Sequence, residues 1–109
     1  MLQKANRLKK KNDFEAVFKK GRSFKNSFLV LKTAPNKLKE TRFGLVVSQK
    51  ISKKAVVRNK VRRRLSEAIR MEINGIKKGR DMVLIALPGI ENKSLLEIKE
   101  ILASVIKKV

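Results

Sequence analysis

The chain has 109 residues, of which 29 are Lys or Arg and nine are Asp or Glu, so its formal net charge is +20. This length suits one domain, and a hydrophobic fraction of 42% is too high for a disordered basic tail. The absence of His and Cys excludes zinc sites built on those residues, disulfides, and nucleophilic centres that need an imidazole or a thiol. We therefore expect one folded, basic domain spanning residues 1–109.

The charge predicts a polyanionic partner, because self-repulsion at +20 disfavours the compact state until counter-charges offset it. Nucleic acid is the leading candidate, since Lys and Arg displace condensed counterions from phosphates. An anionic membrane surface is the alternative, but that partner is typical of a lone amphipathic helix without a core. The sequence shows no signal-peptide core and no run of about 18 apolar residues, so we expect a cytoplasmic protein without membrane contact.

The first third of the chain divides into an arm and a short helix. Residues 1–11 are basic and lack a sustained apolar period, which indicates an N-terminal arm. A helix is predicted over about residues 12–20, with Asn12 as its N-cap and Glu15 completing a capping box. Gly21 is the expected end of this helix.

Bulky, β-branched runs predict strands over 27–33, 42–48 and 81–87, with a further short strand near Arg22–Lys25. A long helix is predicted from about Lys54 to Ile73, and a last helix follows a capping box formed by Ser94 and Glu97. The run at 81–87 is apolar almost throughout, which is typical of a strand buried on both faces. The order α-β-β-β-α-β-α predicts an α+β sandwich with a mixed four-stranded sheet and a βαβ crossover.

The stretch from Lys50 to Arg64 carries the strongest charge signal, because eight of its fifteen residues are Lys or Arg and none is acidic. The helical period places an apolar stripe on one side, formed by Val57, Val61, Leu65, Ala68 and Ile69. The other side carries Asn59, Arg62, Arg63, Ser66 and Arg70. Arg58 and Arg62 repel each other at i,i+4 spacing, so a phosphate-binding face is favoured over an ordinary solvated face.

Two residue types offer contacts to bases. The amide of Asn59 can read a base edge or a 2′-hydroxyl, although an Asn near a helix N-terminus can equally be a remnant of capping. Phe14 and Phe18 can stack on bases, although a Phe pair at i,i+4 is commonly core packing. The remaining aromatic residues lie in strand-like context and are expected in the core, namely Phe24, Phe28 and Phe43.

Catalysis by the protein itself is not expected. The nine acidic residues form no group that would hold the two metals of a phosphodiesterase centre. The glycine spacing matches neither a P-loop nor a dinucleotide fingerprint. We therefore predict no catalytic residues and no metal site on this chain.

Three segments share their pattern with one known family. They are Arg7–Lys10 with Asp13–Phe14, Val17–Phe18 and Gly21; then Phe43–Lys50; and finally Ala55–Arg63. Together with the length, the charge and the element order, they resemble the protein subunit of bacterial ribonuclease P over nearly the whole chain.

The resemblance implies binding to a large catalytic RNA and to the 5′ leader of precursor tRNA, with the hydrolysis performed by the RNA. It implies Mg²⁺ in the holoenzyme, held mainly by RNA. It also implies a left-handed βαβ crossover, in a fold shared with a ribosomal protein domain, against the usual right-handed preference. By position, Phe14 and Phe18 would line a central cleft for the leader.

The RNA-binding residues that we predict are Phe14, Phe18, Leu31, Lys50, Lys53, Lys54, Arg58, Asn59, Lys60, Arg62, Arg63 and Arg70. The chain departs from the family pattern at three positions. Lys60 replaces an Arg and loses its bidentate fork, and Ser66 occupies a position that is otherwise basic. Leu31 is interpreted as the replacement of a cleft aromatic residue on the second strand.

The predicted function is that of the protein subunit of ribonuclease P, which promotes removal of the 5′ leader from precursor tRNA. The main alternative is a structural RNA-binding module such as a small ribosomal protein, which would share the charge and the fold. An autonomous ribonuclease and a membrane-active cationic peptide are further alternatives.

Overall fold

A mixed four-stranded sheet carries helices on both faces in the structure, a computed structural model that describes residues 6–109. The elements in chain order are α1 (Lys11–Lys20), β1 (Arg22–Lys25), β2 (Leu29–Pro35), β3 (Arg42–Val46), α2 (Ala55–Glu72), β4 (Arg80–Ala86) and α3 (Leu95–Ile106). Short 3₁₀ turns occupy Ile73–Gly75 and Ile90–Asn92. The predicted order is confirmed, including the short first strand, and the predicted bounds agree within two residues.

The strands lie in the order β1-β2-β4-β3. β2 is antiparallel to both β1 and β4, whereas β3 and β4 are parallel and α2 connects them as the crossover. The left-handedness of that crossover stays an expectation from the resemblance. β4 is an inner strand, and Met82, Val83 and Leu84 expose 1% or less, which confirms that it is buried on both faces.

The larger core lies between the sheet and the helices α2 and α3. Val61, Leu65, Ala68 and Ile69 are the buried residues of α2, as its apolar period predicts. They pack with α3 and with alternate residues of the strands, because successive strand side chains point to opposite faces. Phe43 is buried in this core and Phe24 and Phe28 pack against it, so the prediction for these three rings is confirmed.

Two predictions for the N-terminal region are wrong. The N-cap of α1 is Lys10, which makes no side-chain capping bond, and Glu15 pairs with Lys11 at 4.0 Å instead of completing a capping box. Residues 6–8 form no arm, because Leu8 is only 5% exposed and its N–H donates to the Phe43 carbonyl at 2.8 Å. Residues 1–5, the rest of the predicted arm, lie outside the described residues.

The predicted capping box of α3 is confirmed. The hydroxyl of Ser94 accepts from the Glu97 N–H at 3.2 Å, and the Glu97 carboxylate accepts from the Ser94 N–H at 3.0 Å. The hydrogen bonds from Ser94 lower the pKa of Glu97. This interaction therefore stabilises the fold at neutral pH, and its contribution disappears as the pH falls through the lowered pKa.

We expect Ser94→Ala to reduce the free energy of unfolding by about 1 kcal/mol, because α3 loses the acceptor for one of its free N–H groups. Urea titration measures this change. Ser27→Ala, an exposed position between β1 and β2, is the matched control and should leave stability unchanged. Equal stability of the two variants would contradict the role of the cap.

Candidate nucleic-acid interface

Cross-strand rows organise the face of the sheet that carries α1. Directly paired residues project their side chains to the same face. Across β2, β4 and β3 the rows are Ala34–Asp81–Arg42, Lys32–Val83–Gly44 and Val30–Ile85–Val46. We call them the first, second and third row.

α1 packs on the first two rows. Val17 is 1% exposed and packs with Ala34 and Val83. The ring of Phe14 lies directly on Gly44, where an added Cβ would come within less than 3.0 Å of two ring atoms. A side chain at position 44 would therefore force the Phe14 ring to move away from β3.

An ion-pair cluster fixes the beginning of α1 to the first row. Arg42 donates to both carboxylate oxygens of Asp81, at 2.8 and 2.7 Å, and to Asp13 of α1 at 3.3 Å. The hydrogen bond to Asp81 raises the pKa of Arg42 above its ordinary value. Asp81 is only 7% exposed and also accepts from the Asn36 amide at 2.9 Å. Asp13 immediately precedes Phe14, so this cluster and the Gly44 contact act on the same turn of α1.

The third row is only partly covered. Val30, Ile85 and Val46 are each half-buried, and Phe18 on α1 keeps 44% of its surface exposed. We call Phe14, Phe18 and the third row the central cleft. Lys32 of the second row adds a positive charge there, with its ammonium 5.6 Å from the centre of the Phe18 ring.

The prediction for Leu31 is wrong. Leu31 is fully buried and belongs to the core under α2 and α3, on the opposite face of the sheet. Strand side chains alternate between the two faces of the sheet. An error of one residue therefore assigns every side chain of the strand to the wrong face. The cleft residues of β2 are its neighbours Val30 and Lys32.

A basic loop leads from β3 into α2. Its Lys50, Lys53 and Lys54 are exposed. Arg58 donates to the carbonyls of Ser52 and Lys53 at 2.9 and 3.0 Å, and therefore holds the loop against the first turn of the helix. One guanidinium nitrogen, Nη1, makes both of these bonds.

On the exposed side of α2, some polar groups form hydrogen bonds within the protein and others do not. Arg62 donates to the Asn59 side-chain oxygen at 2.8 Å and to the Val47 carbonyl at 3.4 Å. Asn59 is the fifth residue of α2, so its interpretation as a capping remnant is wrong, and its NH₂ group donates no hydrogen bond to any described residue. Lys60 and Arg63 are exposed and form no ion pair within residues 6–109.

Two further arginines of α2 are engaged elsewhere. Arg70 pairs with Glu67 one turn before it, which raises the pKa of Arg70 and offsets its charge locally. Arg64 donates to the Lys93 carbonyl at 2.7 Å and so faces α3. Ser66, which stands at a usually basic position, is half-buried. The uncompensated charge of α2 is therefore concentrated in its first half, next to the basic loop.

The N-terminus of α2 attracts anions. Its N-cap Lys54 makes no side-chain capping bond, and its first turn holds no acidic residue. The free N–H groups and the helix dipole favour a negative charge at this position. The chain supplies only cations there, so an external phosphate fits the site.

Several cleft residues escaped the sequence reasoning, namely Lys32 and the third row. The alternation of polar and apolar residues in β2 and β4 is the pattern that would identify them. Both strands are apolar over most of their length, so this pattern is weak. The interface therefore consists of the central cleft and of the basic loop with the first half of α2.

Carboxylate groups within residues 6–109 do not form a metal-binding cluster of three or more. In the same part of the chain, no helix is long and apolar enough to cross a membrane.

Comparison with known proteins points to one family. The family model described as Ribonuclease P matches residues 2–109. A ribonuclease P protein component from Alkaliphilus metalliredigens is 37% identical over 107 residues, covering 98% of this chain and 96% of that protein. One from Clostridium kluyveri is 39% identical over 104 residues, covering 94% and 92%.

Solved structures give the same result. The RNase P protein of Staphylococcus aureus is 35% identical and superposes with a TM-score of 0.87, covering 96% of this chain and 95% of that one. The RNase P protein of Thermotoga maritima is 31% identical with a TM-score of 0.86, covering 94% and 96%.

We expect Gly44→Ala to reduce the free energy of unfolding by about 1–3 kcal/mol, because the new methyl group overlaps the Phe14 ring. Denaturant titration of a double-mutant cycle with Phe14→Ala measures the coupling. In the Phe14→Ala background, Gly44→Ala should reduce the free energy of unfolding much less. An unchanged cost would show that the ring does not rest on Gly44.

Proposed function

Because the chain belongs to the ribonuclease P protein family, we propose that it binds the catalytic RNA subunit and the 5′ leader of precursor tRNA. It is a protein component of the ribonucleoprotein that processes tRNA 5′ leaders, and hence an accessory subunit of an endoribonuclease. The alternative of a small ribosomal protein is not favoured by these matches.

The partly open third row supports a role in leader binding. A single strand exposes unpaired bases, and these stack on aromatic rings or lie against apolar side chains. Phe18 is 44% exposed, and its ring neighbour Lys32 lies two residues from Val30 on β2, in the row next to the half-buried apolar residues Val30, Ile85 and Val46. Lys32 stands next to the ring and can pair with a backbone phosphate. This juxtaposition of ring, apolar row and cation is the observation that carries the proposal.

The basic loop and the first half of α2 support binding to structured RNA. Lys50, Lys53 and Lys54 are exposed at or just before a helix N-terminus that favours phosphate, and Lys60 and Arg63 are exposed further along the first half of α2. Asn59 lies next to Lys60 and one turn before Arg63, and its free NH₂ group can donate to a base edge or a 2′-hydroxyl.

The two surfaces together give a preference for precursor over product. Both precursor and mature tRNA offer phosphates, but only the precursor carries a leader that can occupy the central cleft. Interactions with the leader therefore strengthen substrate binding and end once the leader is removed.

The proposal places hydrolysis on the RNA, with Mg²⁺ held mainly by RNA oxygens, and places the protein in the cytoplasm. Four of the nine carboxylates already have partners within the protein: Asp13 and Asp81 bind Arg42, Glu67 pairs with Arg70, and Glu97 caps α3. RNA phosphates are the natural ligands for the hard Mg²⁺ ion in such a complex.

We expect Phe18→Ala to weaken binding of a single-stranded leader by about 1–3 kcal/mol, through loss of base stacking. Fluorescence anisotropy with a labelled leader oligonucleotide measures the affinity. Leu96→Ala is the matched control, since Leu96 is 65% exposed on α3 and lies outside both surfaces. Unchanged leader affinity of the Phe18 variant would contradict the proposed role of the cleft.

We expect Lys60→Ala with Arg63→Ala to weaken binding of the catalytic RNA and to reduce the salt dependence of the affinity. For each phosphate that the variant no longer neutralises, the slope of log K against log salt should fall by about 0.7–0.9. The control variant, Lys107→Ala with Lys108→Ala, removes the same charge from the residues after α3, where neither lysine forms an ion pair within residues 6–109. Equal slopes in the two variants would mean that only net charge matters.

A further inference from the structure

Four lysines gather at the end of the sheet away from the basic loop. Two loops meet there, residues 36–41 before β3 and residues 76–79 before β4. They carry Lys37, Lys39, Lys77 and Lys78, which we call the distal lysine cluster. All four side chains are exposed, and neither of the surfaces described above includes them.

The two loops are joined by several hydrogen bonds. The Asn36 N–H donates to the Gly79 carbonyl at 3.0 Å, and the Thr41 hydroxyl donates to the Lys77 carbonyl at 2.5 Å. The Asn36 amide also bonds to Asp81 and to the Glu40 carbonyl. The lysines therefore project from a connected backbone platform, and binding does not have to order it first.

The backbone at Lys37 is in an unfavourable conformation for its side chain. Its φ of 62° makes it the only non-glycine residue with positive φ in residues 6–109. Gly or Asn takes this conformation more easily than Lys. The turn by itself would favour Gly or Asn at position 37, yet the chain has a Lys there.

The charges of the cluster are not balanced locally. None of the four lysines forms an ion pair within the described part of the chain. Glu40 is the single carboxylate in the two loops, and its side chain accepts from the amide of Asn6. Four cations and one partly engaged anion make a strongly attractive surface for phosphates.

The cluster is too far from the basic loop to bind the same phosphates. β3 and β4 run parallel, so the loops before them lie at one end of the sheet and the loop after β3 lies at the other. The seven residues of β4 span roughly 20 Å between these ends. An RNA segment at the cluster is therefore distinct from the segment bound at the start of α2.

The chemistry of the cluster matches RNA backbone and not bases. The two loops contain no aromatic residue, and the amide of Asn36, their single Asn or Gln side chain, is already hydrogen-bonded to Asp81 and Glu40. Phosphate contacts position an RNA, whereas stacking and amide contacts read its bases. We propose that the distal lysine cluster is a second RNA-binding site, which takes the phosphate backbone of a double-helical segment. This proposal depends on the proposed function in one respect, namely that the ligand is RNA.

The test compares two charge-matched variants. In one, Lys37, Lys39, Lys77 and Lys78 are changed to Gln; in the control, Lys93, Lys99, Lys107 and Lys108 are changed to Gln on and around α3. Thermal unfolding verifies that both fold. Affinities are measured over a range of salt for a blunt RNA duplex, a single-stranded leader and anionic phosphatidylserine vesicles.

The cluster variant should bind the duplex more weakly. Its slope of log K against log salt should fall by about 0.9 for each phosphate that it no longer neutralises, whereas the slope of the control should change by less than about 0.9. Its leader affinity should match that of the control. Equal duplex losses in both variants, or a cluster-specific loss only for vesicles, would overturn the proposal. Failure of the wild-type chain to bind leader would instead count against the central cleft, so the two proposals fail separately.

Discussion

The contact between Phe14 and Gly44 fixes where the first half of α1 meets β3. The ring can approach the strand because Gly44 has no side chain, and Arg42 holds Asp13, the preceding residue, through an ion pair. With its beginning fixed at this end, the ten-residue helix covers two cross-strand rows and leaves the third partly open beside Phe18. The cleft is therefore a consequence of where α1 is anchored, not of a gap in the core.

Local signals explain why most of the fold could be predicted. The apolar stripe of α2 has a clear helical period, the run in β4 is unmistakably a buried strand, and the Ser94–Glu97 box marks the start of α3. The basic loop and the first half of α2 are also visible in sequence, because their charge is dense and unbalanced over consecutive residues. Each of these features is encoded within about 20 neighbouring residues.

The features that sequence reasoning missed depend on distant contacts. The pairing of Arg42 with Asp81 joins residues 39 positions apart, and nothing local identifies it. Each face of β2 is apolar apart from one polar residue, Lys32 on one and Thr33 on the other, so its alternation did not show that Val30 faces the cleft and that Leu31 is buried. Asn12 suits a cap in isolation, but α1 begins one residue earlier, at Lys11, and the bond from Leu8 to Phe43 holds the preceding residues on the sheet.

The central claim is that this protein supplies binding surfaces while its RNA partner cuts. Reconstitution with the catalytic RNA at low Mg²⁺ tests it most directly, with cleavage of precursor tRNA measured for the RNA alone, the protein alone and both together. The account predicts faster cleavage by the combination and none by the protein freed of RNA. Turnover by the protein alone, or no acceleration of the RNA, would contradict it.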